Sequence, residues 1–68
     1  MENNTFGKNL KKIREENGLT QKDLAEMIAI SYQSISKWEL GLVYPQVIWV
    51  YRIADALRVN PERLIALK

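Results

Sequence analysis

The stretch LTQKDLAEMIAISYQSISKWELG, Leu19 to Gly41, decides how this chain folds. Leu24, Ala25 and Ile28 recur at helical spacing, and so do Ile35 and Trp38 after a short break. Thr20 is a capping residue with Asp23 three positions on, a weaker version of the capping box. Ser31 opens a second helix in the same way, and Gly41 ends it. Only Ala29 to Ser31 separate the two helices, so they meet at a sharp corner rather than as an antiparallel hairpin. A small residue, Ala25, on the inner face allows close approach, and Ile30 plugs the corner. The same stretch carries polar side chains that a core does not need: Gln21, Tyr32, Gln33, Ser36 and Lys37.

Outward from this corner, the rest of the chain also reads as helix, with no strand. Phe6, Leu10 and Ile13 follow i, i+4, i+7 in a first helix that Thr5 would cap and that runs from about Phe6 to Asn17. Gly18 suits the left-handed position after its last turn, with Leu19 folding back onto it. A fourth helix lies between Pro45 and Arg58, with Val47, Val50, Tyr51, Ala54 and Leu57 as its expected inner stripe and Ile53 beside it. A fifth opens with Asn60 as cap, Pro61 at the first helical position and Glu62 complementing the dipole. Leu64, Ile65 and Leu67 supply its apolar surface. The expectation is an all-α protein, a five-helix bundle forming one domain over residues 1–68.

The totals narrow the function. Sixty-eight residues bury only roughly 60% of their unfolded surface. Without cysteine or histidine, the chain has no disulfide and no zinc cluster to support it. Stability must come from tight helix packing, and a partner subunit is an obvious supplement. No apolar run approaches the ~20 residues of a membrane span, and MENNTFGKN is not a signal-peptide pattern. These features suggest a soluble, cytoplasmic protein with no membrane association. A net charge of +2 is compatible with a nucleic-acid partner but does not imply one. Met1 to Gly41 is electrically balanced, with six basic and six acidic residues. There is no glycine-rich phosphate loop and no carboxylate pair placed for acid–base work, so neither an enzyme nor a cofactor or small-molecule substrate is expected.

TQKDLAEMIAIS and SISKWELG, with the spacing of Ala25, Ala29 and Ile35, resemble the helix-turn-helix of the phage-repressor and Cro type (XRE-type) transcriptional regulators. The likeness extends to IREENGLTQ before the motif and IADALRVNPERL after it, roughly Phe6 to Leu67. It implies a lambda-repressor-like DNA-binding domain whose motif spans residues 20–41. The helix after the corner would then be the recognition helix, lying in the major groove. On a helical wheel with Ile35 and Trp38 inward, Gln33, Ser36, Lys37 and Leu40 point outward and Tyr32 sits at the edge. Tyr32, Gln33 and Lys37 stand where the family commonly meets bases, and Ser36 joins them by position. Glutamine can bond adenine on two atoms, lysine can reach guanine acceptors, and serine pairs with either. Gln21 stands where the family commonly meets a phosphate, with Lys22 and Ser31 adjoining. Arg14 and Glu39 match a family ion pair between the first helix and the end of the third.

The resemblance further implies a regulator of bacterial or phage origin, more often a repressor, binding a palindromic operator in double-stranded DNA as a homodimer. With no sensor domain in view, regulation would come through concentration, a protein antagonist or proteolysis. Several positions depart from the pattern. Ala29 and Arg58 stand where glycine is usual, and Tyr32 where glutamine is common. The loop Leu42, Val43, Tyr44 replaces basic or amide residues, which implies fewer phosphate contacts and a shallower salt dependence. Ile48 and Trp49 replace outer-face polar residues. Such a patch is either a subunit interface, with Leu42 and Val43, or extra core beneath the loop. An alternative function uses the same patch: an antitoxin or adapter-type protein-interaction module.

Overall fold

A computed structural model of the protein describes residues 5–65 and contains five helices in this order: α1 (Thr5–Glu16), α2 (Gln21–Met27), α3 (Tyr32–Leu40), α4 (Val47–Leu57) and α5 (Pro61–Leu64). The cap expected of the Thr5 side chain and the apolar role of Leu67 lie outside the described residues and side chains. Among the described residues, no helix is long and apolar enough to cross a membrane.

The sequence signals that start and stop α2 act as chemistry requires. Thr20 Oγ1 accepts the Asp23 N–H at 3.0 Å, and the Asp23 carboxylate accepts the Thr20 N–H at 2.9 Å. The capping box is therefore complete with aspartate in place of glutamate. The backbone N–H of Thr20, and then its hydroxyl, hold the Asp23 pKa below its ordinary value. At the other end, Ile30 N donates to Ala25 O at 3.0 Å and Ala29 N to Glu26 O at 3.3 Å. These bonds close the corner, and they need Ala29 at φ 59°. Arg58 ends α4 in the same left-handed region, also at φ 59°. A Cβ there meets the following carbonyl, at a cost of roughly 1–2 kcal/mol. We therefore expect Ala29→Gly and Arg58→Gly each to raise stability by about 0.5–1 kcal/mol, since glycine's greater unfolded entropy offsets part of the relief. Thermal melts would register each gain as an increase in Tm of several degrees; an unchanged or lower Tm would contradict it.

The core is one cluster. Phe6, Leu10 and Ile13 of α1 meet Leu24, Ala25 and Ile28 around α2, Ile35 and Trp38 of α3, Val50, Ile53, Ala54 and Leu57 of α4, and Leu64 of α5. α1 packs on α3 and α5, α2 on α3 and α4, and α4 on α5. Asn9 ties the two ends of the fold together, its Nδ2 donating to Leu64 O at 3.0 Å. α1 and α3 approach so closely that a Cβ on Gly7 would lie 2.5 Å from Trp38 O and 2.8 Å from Glu39 O.

The stripe of α4 departs from expectation. Val47 and Tyr51 are exposed, at 67% and 58%, whereas Ile53 is fully buried. The inward set is Val50, Ile53, Ala54 and Leu57, an i, i+3, i+4, i+7 row. Once Ile53 occupies the centre of the core, Tyr51 is turned away. Val47, in the first turn, projects beyond the edge of the packed layer. Ile65, just past α5, is likewise exposed.

Candidate nucleic-acid interface

α3 is held on two sides and free on a third. Ile35 and Trp38 anchor it in the core. Ser31 is its extended N-cap residue, although its hydroxyl bonds no α3 amide and instead lies 3.4 Å from the Ser34 hydroxyl. Gly41, at φ 80°, lets the chain leave in the left-handed conformation while Leu42 N returns to Lys37 O at 3.0 Å. What remains outside is the row Tyr32, Gln33, Lys37 and Leu40, all exposed, with Ser36 half-buried beside them. The row offers an amide, an ammonium, a phenol and an apolar end, which together can meet base edges and thymine methyls in a major groove.

α2 contributes to the same edge of the molecule. The Lys22 ammonium lies 5.2 Å from the centre of the Tyr32 ring, so α2 and the start of α3 touch through a cation–π contact. Gln21, in the first turn of α2, is half-buried. Its Nε2 donates to Glu39 Oε1 at 2.9 Å. Positions 21 and 39 share no helical periodicity, so the sequence carries no signal for this bond.

Glu39 is the hub of that network. Arg14 Nε donates to its Oε2 at 2.7 Å and Arg14 Nη2 to its Oε1 at 2.9 Å, a two-pronged pairing of guanidinium and carboxylate. Both side chains are withdrawn from solvent, 8% and 4% exposed. The remaining Arg14 nitrogen, Nη1, donates to Leu19 O at 2.8 Å, just ahead of the α2 cap. The bond to Glu39 is the main reason the Arg14 pKa is raised; burial opposes it. One ion pair thus fixes the last turns of α1 and α3 and the entry to α2.

The apolar residues after α3 divide by position. Leu42, Val43 and Ile48 are exposed. Trp49 is half-buried against the core, its ring 6.2 Å from that of Trp38 and covered by the Arg52 guanidinium at 5.3 Å. Tyr44 is exposed yet sets its ring edge-on to Phe6 at 5.3 Å. Tyr44, Val47, Tyr51 and Ile65 line an apolar groove where α4 meets α5.

The model of the family described as Helix-turn-helix (HTH_3) matches residues 10–64. The chain is 37% identical over 59 residues to the HTH-type transcriptional regulator y4dJ of Sinorhizobium fredii, covering 87% of this chain and 77% of that protein. It is 34% identical over 61 residues to the HTH-type transcriptional activator BcrR of Enterococcus faecalis, covering 90% of this chain but 30% of the relative. In three dimensions it is similar to the restriction-modification controller protein C.AhdI of Aeromonas hydrophila. There the TM-score is 0.84 and the identity 27%, over 88% of this chain and 91% of that one.

Proposed function

The chain belongs to the helix-turn-helix family (HTH_3) of DNA-binding transcriptional regulators, and on that premise we propose that it acts as a homodimer on a roughly palindromic operator, as a repressor. The observation that carries this is the free side of α3: Tyr32, Gln33 and Lys37 stand exposed on a helix whose opposite side is locked by Ile35 and Trp38. Gln33, Ser36 and Lys37 read base edges, with Tyr32 at the groove's margin. Lys22, Gln21 and Ser31 meet the phosphates beside it. Among the described residues each copy carries one such helix, α3, so one copy reads one half-site, and two half-sites ~34–36 Å apart require a second copy.

For the subunit contact we favour the exposed apolar surface running from Leu42, Val43 and Ile48 to Tyr44, Val47 and Tyr51. Trp49 supports it from below rather than forming its outer face, because it packs on Trp38. Occupancy is the mechanism: bound protein excludes polymerase from an overlapping promoter. The name of the Enterococcus relative, an activator, makes recruitment of polymerase the alternative sign. The same apolar surface supports a second reading, an adapter that docks another protein.

Selection of binding sites from random duplex DNA, at stated salt, tests the proposal. A symmetric consensus with half-sites one helical turn apart is expected, with a dimer in sedimentation. A soluble monomer that enriches no sequence would overturn it in favour of the adapter. On the selected site, Gln33→Ala should lose about 1–3 kcal/mol of discrimination at one base position and leave the fold intact. Equal loss on specific and random duplexes would remove Gln33 from base reading.

A further inference from the structure

We propose that Glu39, with no DNA contact of its own, is a positioning residue that presents the Gln21 amide to a backbone phosphate. This rests on the reading of the chain as a DNA-binding protein. A glutamine side chain has one nitrogen with two N–H donors and one carbonyl oxygen, and only the nitrogen can serve a phosphate, which accepts but cannot donate. A free glutamine rotates between presenting either end. Here the choice is made: Nε2 is bound to Glu39 Oε1 at 2.9 Å. One N–H is spent on the carboxylate and the other remains for an external acceptor.

The arrangement works only because of Arg14. A bare carboxylate behind Gln21 would repel the phosphate that Gln21 is meant to hold. The guanidinium binds both carboxylate oxygens, at 2.7 and 2.9 Å, and cancels that charge before DNA arrives. Arg14 also grips Leu19 O at 2.8 Å, so the backbone entering α2 is fixed by the same group. A continuous set of hydrogen bonds therefore runs from Arg14 of α1 to the Glu39 carboxylate at the end of α3, which accepts from both sides, and on to Gln21 at the surface of α2. Its side chains are ordered before binding, which removes part of the entropy cost of the contact.

A neutral amide on a phosphate has a distinctive signature. It releases no counterion, so its loss should weaken binding to every duplex without changing the salt slope, whereas loss of a lysine contact lowers the slope by about 1. The experiment compares Gln21→Ala in the native chain and in an Arg14→Met/Glu39→Leu background, titrated with the selected duplex and a scrambled one over a range of salt. In the native chain, Gln21→Ala should cost about tenfold on both duplexes at constant slope, as for a hydrogen bond to a charged group. In the apolar background the same change should cost under about twofold, because the amide is no longer held.

Equal losses in the two backgrounds, or no loss in the native chain, would overturn the proposal. If the native chain binds no duplex, it is the DNA-binding reading that fails. A measurement on the unaltered protein guards against a background that does not fold: the two Gln21 side-chain amide protons in the ¹⁵N-correlated spectrum. An ordered pair, of which one proton shifts on adding duplex while its partner on Glu39 stays, is expected. A mobile, averaged pair in the free protein would refute the positioning role.

Discussion

Gly7→Ala is expected to lower the stability of the fold by about 3 kcal/mol or more. On helix propensity alone the change should stabilise by about 1 kcal/mol, since Gly7 lies inside α1 and alanine is the best helix former. The tertiary structure reverses that sign. The new methyl group would stand 2.5 Å from Trp38 O and 2.8 Å from Glu39 O. Both are backbone atoms in the last turn of α3, so no rotamer change relieves the overlap. Only separating α1 from α3 would do so, and that would open the packing between the two helices. Overpacking typically costs about 1–3 kcal/mol, and more where the backbone must move. A chain of this size has roughly 3–10 kcal/mol in all. Urea denaturation followed by circular dichroism would measure the loss. A variant as stable as the parent, or more so, would mean that the helices are not in contact at this point.

The second large effect is the asymmetry between breaking the Arg14–Glu39 pair and replacing it. Glu39→Leu alone leaves a guanidinium, 8% exposed, without its carboxylate. It should cost about 3–5 kcal/mol, the usual penalty of an uncompensated buried charge. Arg14→Met/Glu39→Leu removes both charges and fills the space with apolar atoms, and should cost far less than the single change, the remaining loss being the partners of Leu19 O and the Gln21 amide. The gap between the single and the double variant is the expected result, measured as unfolding free energies in a double-mutant cycle. A double variant as damaged as the sum of two singles would show that the two residues act independently. On that result the pair holds the relative orientation of α1, α2 and α3 and adds little net stability. That fits a protein whose α3 must stand at a defined angle to its own body.

Much of this protein was legible in the sequence because its information is local. Capping depends on neighbours three residues apart, so Thr20 and Asp23 announced the start of α2. Left-handed exits depend on a single backbone angle, so Gly18 and Gly41 marked ends. Ala29 and Arg58 were identifiable as exceptions because they occupied the places of glycines. The outward row on α3 followed from the angles at which Ile35 and Trp38 must point inward.

Other features depended on how the helices finally lay against one another. Periodicity located α4, but with apolar residues on several sides it left the inward face open between rows. Contact with α2 and α5 selected Ile53 over Tyr51 and left Val47 in solvent. The bond from Gln21 to Glu39 joins positions eighteen residues apart, and the Gly7 contact spans more than thirty. The sequence by itself determined the helices, their ends and the tight corner, because those follow from dihedral preferences and nearest-neighbour hydrogen bonds. Which apolar face went inside, which polar side chain was pinned and where one backbone presses on another were decided by tertiary packing. Those outcomes minimise a shared volume and a shared set of polar partners that no single segment contains.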